Sequence, residues 1–374
     1  DDIRKAGYES IPNNLDGSHF AVSVPGTVHG WETALSQYGR MTLREVLQPA
    51  IDYALNGYAV SEVIAHSWGS VDTVAKLNHR PSGRELLPGS GANGAPKYGE
   101  IVRLPELGRT LQMIAEGGSE AFYKGEIAKK TAAFVQSEGG WLTEQDLANH
   151  HSDWDEAISV NYRGVDIWEC PPNGQGIAAL IALNLAEGYD IGSMGAQSAD
   201  RYHYLIESMR HGYADAFKYV ADPRVAEVPI EPLLSKDYAN RRRAGISGIQ
   251  ADPNVSYGDP MGNADTVYLT AVDGEGTAVS FINSLFNGFG TGLVVPTTGM
   301  ALQNRGSLFS FDPNHPNYLE GNKRPFQTII PAMATKDDEM WLSFGVMGGF
   351  MQPQGHLQVA SNMIDYAMDS QEAL

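Results

Sequence analysis

The run "NADTVYLTAVDGEGTAVSFINSLFNGFGTG", residues 263–292, decides how the rest of the chain is read. Two β-rich segments, "TVYLTAV" and "TAVSFINSLF", are joined by Gly- and Asp-rich residues, which is the pattern of a β-hairpin. The preceding stretch, 243–265, is a loop by composition, and it ends directly against Thr266. A threonine at that junction has two readings. In one it is a β-branched residue opening a strand. In the other it is a nucleophile: if the chain is cut before Thr266, the new α-amine, titrating at about 7.7–8.0, becomes the base its hydroxyl lacks. The residues by themselves leave both readings open.

Working outward, further β-rich runs follow the hairpin, "TGLVV" and "MWLSFGVMGG", before "QPQGHLQVASNMIDYAM" returns to a helical repeat. Upstream the pattern is mainly helical. Leu43, Val46, Leu47, Ala50, Ile51, Ala54 and Leu55 recur at helical spacing until Gly57 stops them, with Pro49 expected to bend the helix. The stretches 105–118, 119–140 and 198–223 read the same way, each ending at Gly or Pro. Residues 78–100 read as a surface loop. Helices, then strands, then a helix predict an α and β architecture layered around one core.

A chain of 374 residues with 42% hydrophobic content is long enough to bury a large core. Its net charge of −19 repels phosphate backbones and anionic membrane surfaces, so neither nucleic acid nor membrane is an expected partner. Cys170 is the only cysteine, which excludes an internal disulfide and fits a reducing compartment. Nothing in the first ten residues has signal-peptide character, and a cytoplasmic location is the expectation. The sequence has no G-x-S-x-G elbow, no H-E-x-x-H and no phosphate-binding P-loop, and "GFGTG" at 288–292 does not open a helix. The histidine pairs His150 with His151 and His203 with His211 lack carboxylates at metal-ligand spacing, so no metal site is expected.

A larger pattern favours the nucleophile reading. "DTVYLTAVDGEGTAVSFINSLFNGFGTGLVVPTTGMALQNRG" at 265–306, "NKRPFQTIIPAM" at 322–333 and "FGVMGG" at 344–349 resemble the γ-glutamyltranspeptidase family of N-terminal nucleophile hydrolases. Upstream, "VPGTVHGWETALSQYGRMTLREVLQPAIDYALNGYAV" at 24–60 and "PPNGQGIAALIALNLAEGYD" at 171–190 are similar to that family's large subunit. The resemblance implies an α+β fold, the four-layer αββα sandwich. It also implies a precursor that cleaves itself between Asp265 and Thr266 into a large-subunit segment, 1–265, and a small-subunit segment, 266–374, which stay together as a heterodimer in one domain.

By the same resemblance Thr266 is the nucleophile, Ser284 is the hydroxyl that holds it, and Gly348 and Gly349 supply the oxyanion hole. Arg305, Gln327 and Thr328 fall where the family contacts its acyl donor. The family's carboxylate-gripping arginine has no match before Val24: either the chain is truncated at its N-terminus or that contact is lost, with Arg305 as the named replacement. Four features depart from the pattern: Leu308 replaces the acidic residue that recognises a donor α-amine, Phe286 an asparagine, and Phe350 an acidic residue, while 310–323 is shorter than a lid-bearing segment. The implied activity is acyl transfer from a small-molecule acyl amide, such as a γ-glutamyl compound, to water or an amine. A glutaryl or cephalosporin-type acylase, a poly-γ-glutamyl hydrolase, and an inactive binding protein are the alternatives that these departures raise.

Overall fold

The computed structural model describes residues 1–13, 15–255 and 264–374. These form two compact units, one made of 1–154 with 285–307 and the other of 155–284 with 308–374. No helix among the described residues is long and apolar enough to cross a membrane.

The first unit is mainly helical, with α1 at Thr27–Tyr38, α2 at Leu43–Asn56, α3 at Pro105–Tyr123 and α4 at Glu126–Ser137. Thr42 and Glu45 start α2 as a capping box: Glu45 N–H donates to Thr42 Oγ1 at 3.3 Å and Thr42 N–H to Glu45 Oε2 at 2.7 Å. The helix ends at Gly57 because the next step needs φ +100°, and a Cβ there would lie 2.7 Å from Ile101 Cγ2. It runs as one element across Pro49, and the face it buries is narrower than the repeat suggested: Leu47, Ile51 and Ala54 go inside while Val46 stays exposed. Gly118, at φ +64°, breaks α3 where the sequence reading ends a helix. These helices close over Ile114, Phe122 and Ile127 together with Leu293, Val295 and Leu302.

Residues 78–100 differ from the expected surface loop. They fold into two short 3₁₀ turns with Leu86, Leu87 and Ala95 buried, and Trp68 Nε1 donates to the Leu86 carbonyl at 2.8 Å.

In the second unit, strands β1 (Ile158–Tyr162) and β2 (Val165–Glu169) form a hairpin that the helical reading of the first two thirds overlooked. Arg163 and Gly164 take φ +52° and +87° at its tip, the backbone of a two-residue turn of primed type. Next along the chain come α5 (Gly176–Ala186), α6 (Ala199–Tyr219), β3 (Ala264–Val272), β4 (Ala278–Asn287), β5 (Ala332–Lys336), β6 (Glu339–Phe344) and α7 (Gln352–Asp365). An antiparallel sheet has the order β6-β5-β2-β1, and β3 pairs β4 separately. Every residue of α5 is buried, since it packs on the sheet and is covered in turn by α6 and α7. Val160, Ile167, Leu180, Leu183, Leu205 and Leu357 form the resulting core.

The hairpin foreseen at 266–286 is present. Its turn is held by one carboxylate: Asp273 Oδ1 accepts from the N–H groups of Glu275 and Thr277, both at 2.9 Å.

Candidate active site

Alternation along β3 places Thr266, Tyr268 and Thr270 on one face and leaves Val267 and Leu269 exposed on the other. Along this parity Thr266 is buried, Tyr268 half-buried and Thr270 exposed, and the facing positions carry serines. Thr266 is 4% exposed, and its Oγ1 donates to Ser284 Oγ at 3.2 Å. Below this pair, Tyr268 Oη lies 3.0 Å from Ser280 Oγ and 3.3 Å from Ser343 Oγ, while Thr270 Oγ1 donates to Ser343 Oγ at 2.7 Å. A ladder of hydroxyls thus fixes the strand that carries Thr266. Gly345 belongs to the same arrangement, because a Cβ there would meet the Tyr268 ring at 2.5 Å.

Strand β3 begins at Ala264, so Asp265 and Thr266 are consecutive strand residues, and a Thr266 nitrogen still bonded to Asp265 is an amide and not a base. Asp265 lies in that strand, and residues 256–263 of the expected cleavage loop lie outside the described residues.

The glycine pair sits where only glycine is comfortable. Gly348 has φ +126° and ψ +20° and Gly349 has φ +58°. The pair opens the 3₁₀ turn Gly349–Met351, which leads into α7, so its N–H groups stand at the positive end of a helix. Strand β3 packs against that turn, bringing the threonine strand and the glycine pair together.

Gln327 and Thr328 belong to the same unit. Gln327 exchanges backbone bonds with the segment before α5: its N–H donates to Asn173 O and its carbonyl accepts from Gln175 N–H, both at 2.9 Å. Its side chain turns back, with Oε1 accepting from Thr328 N–H at 3.1 Å. Arg305 lies in the first unit, 4% exposed, with its guanidinium 5.3 Å from the centre of the Phe286 ring; burial lowers its pKa to about 9. Phe286 itself holds φ +77°, a conformation that side chains resist.

Two arrangements were missed by sequence reasoning. Gln175 is fully buried, and its Nε2 donates to Thr328 O and Gly349 O, each at 2.8 Å. One side-chain amide therefore ties the Gln327–Thr328 segment to the glycine pair. Tyr213 completes the knot, its hydroxyl lying 3.3 Å from Gln175 Oε1 and also reaching the Phe350 carbonyl. The available signal was a glutamine placed immediately before the long apolar run that opens α5. The second arrangement is Glu169 Oε1 with His356 Nδ1 at 2.6 Å, both side chains fully buried. Burial pushes the Glu169 carboxyl up, and His356 opposes that shift. Nothing in the sequence separates this pair from ordinary surface residues.

The family model for γ-glutamyltranspeptidase matches residues 5–374. The chain is 38% identical over 369 residues to the glutathione hydrolase-like YwrD proenzyme of Bacillus subtilis, a match covering 98% of this chain and 68% of that protein. It is 34% identical to the glutathione hydrolase proenzyme of Escherichia coli, over 95% of this chain and 63% of that one. Among solved structures it is similar to cephalosporin acylase from Bacillus halodurans, with 42% identity, a TM-score of 0.90, and coverage of 100% of this chain and 68% of the other. This chain accordingly spans about two thirds of the length of these relatives.

Proposed function

The chain belongs to the γ-glutamyltranspeptidase family, and from that premise we propose that it is a self-cleaving threonine amidohydrolase or acyltransferase acting on γ-glutamyl or related acyl amides. The observation that carries this reading is the buried Thr266 Oγ1 to Ser284 Oγ contact of 3.2 Å on a strand packed against the Gly349–Met351 turn. In the precursor step, Thr266 Oγ1 attacks the Asp265 carbonyl carbon and the peptide nitrogen leaves with a proton. Water then hydrolyses the resulting ester, leaving an Asp265 carboxylate and a free Thr266 amine.

In the catalytic step that amine takes the Oγ1 proton while Oγ1 attacks the donor carbonyl. The N–H groups of Gly348 and Gly349 stabilise the tetrahedral oxyanion, and the leaving amine receives the proton. The acyl-enzyme is resolved by water or by an acceptor amine. Gln327 and Thr328 contact the donor. The two cleavage products remain together as a heterodimer in a four-layer αββα sandwich.

A second reading, an acylase for donors without an α-amine, is favoured by Leu308, which offers no charge to an ammonium. Intact mass under denaturing conditions tests the proposal. Two fragments meeting at Asp265 and Thr266 are expected from the wild type, and one uncut, inactive but folded chain from Thr266→Ala. Cleavage elsewhere, or activity surviving that substitution, refutes it.

A further inference from the structure

Beside the glycine pair the second unit has a cleft of about 190 Å³. Phe217, Leu308, Phe309, Phe326 and Phe350 supply its apolar walls. Two of these are joined by short chain to the proposed machinery, since Phe350 follows Gly349 and Phe326 lies two residues before Thr328. The Phe217 ring centroid is 5.5 Å from that of Phe326 and 5.6 Å from that of Phe350, so the three rings form one continuous aromatic surface.

The polar groups at the cleft are committed to the protein's own backbone. His315 Nδ1 accepts from Asn317 N–H at 3.0 Å, which places the proton on Nε2, and Nε2 donates to the Phe217 carbonyl at 2.6 Å. That pairing belongs to the neutral ring, because protonating Nδ1 would set a donor against a donor. The Asn317 side chain is also occupied at both ends, with Nδ2 donating to Leu308 O at 2.7 Å and Oδ1 accepting from Phe326 N–H at 3.2 Å. Ser310 Oγ accepts from Asp312 N–H at 3.1 Å. No carboxylate, lysine or arginine is among the described residues that line the cleft.

The geometry points to this cleft as the acyl-chain pocket, selecting an uncharged arylacyl or similarly apolar donor over a glutamyl one. The inference rests on the threonine-nucleophile reading above and names the donor class for that site. Size does not decide the matter: a 150 Å³ apolar cavity takes a benzene ring, so the cleft holds a phenylacetyl group about as readily as a glutamyl chain. Chemistry decides it, because an ammonium or carboxylate brought into an apolar site without a counter-charge forfeits its hydration.

The test uses the processed full chain with phenylacetyl-, glutaryl-, γ-glutamyl- and acetyl-p-nitroanilide. The wild type is expected to show kcat/KM for phenylacetyl above both charged donors by about 10-fold or more, with the two charged donors similar. Phe350→Ala is expected to lower the phenylacetyl value by about 10-fold while leaving acetyl within about 3-fold. Leu308→Asp is expected to raise γ-glutamyl relative to phenylacetyl. A cleaved wild type that prefers γ-glutamyl, or a Phe350→Ala loss equal for acetyl and phenylacetyl, overturns the pocket and leaves the threonine reading standing. A chain that stays whole and turns over none of the anilides overturns both.

Discussion

Replacing Gln175 by leucine keeps the volume of a fully buried side chain and removes all of its hydrogen bonds. Thr328 O and Gly349 O each lose a donor at 2.8 Å, and the Tyr213 hydroxyl loses the acceptor 3.3 Å away. Gly349 O keeps the Gln352 N–H, so what is lost is the net worth of two hydrogen bonds, roughly 0.5–1.5 kcal/mol each, or about 1–3 kcal/mol together. Tyr213 keeps its contact with Phe350 O and adds little, so the expectation is about 2 kcal/mol. Denaturant titration reads this as a lower midpoint at unchanged slope.

The kinetic effect follows from geometry. Gly349 is held at φ +58° by a turn whose carbonyl this amide fixes. Loosening it misaims the proposed oxyanion donor without deleting it, so kcat should fall by about 10–100-fold, below the 10²–10³ typical of losing a donor outright. KM should move little, and affinity for a tetrahedral boronate inhibitor should fall in step with kcat. A leucine variant with wild-type stability and wild-type kcat refutes the reasoning. So does a variant whose KM alone rises, since that would place the amide in ground-state binding.

Ser284→Ala leaves Thr266 Oγ1 without its acceptor at 3.2 Å and should slow both self-cleavage and turnover about 10-fold, with recovery in Ser284→Thr, as followed by fragment appearance on a denaturing gel. Gly348→Ala forces a side chain onto φ +126° at a cost of roughly 1–3 kcal/mol and should depress kcat, seen in parallel melts and anilide assays. Asp222 is fully buried, which alone would raise its pKa, but hydrogen bonds from the Arg224 guanidinium and the Arg224 and Arg324 N–H groups outweigh burial and hold it at about 2. Because the folded value is depressed, the stability it gives is present above pH about 4 and lost as pH falls toward 2, so Asp222→Asn should flatten the melting temperature across that window.

What could be read from the sequence depended on how many faces of an element are buried. Helix α2 exposes one side, so its spacing and its Thr42–Glu45 cap stand out, whereas α5 is buried all round and its 3.6-residue period vanishes. The strand pair 158–169 carries a clean period of two, from Ile158 through Val160 and Tyr162 and from Val165 through Ile167, and it was overlooked because the surrounding chain is helical. The proposal of Thr266 as a nucleophile comes only through resemblance; on propensity alone a threonine opening a strand says nothing. Gln175 and the Glu169–His356 pair stayed hidden because their partners lie far along the chain, 38 residues away for Tyr213 and 153 to 187 for the others. Contacts at such separations leave no local pattern.

The hydroxyl ladder lies wholly on the C-terminal side of the bond between Asp265 and Thr266. Scission at that bond would therefore leave the Ser284, Ser280 and Ser343 contacts intact, and these keep the new chain start where it already stood. Such a protein is armed without moving: the cut alters what the nitrogen is, from amide to amine, and leaves its address unchanged.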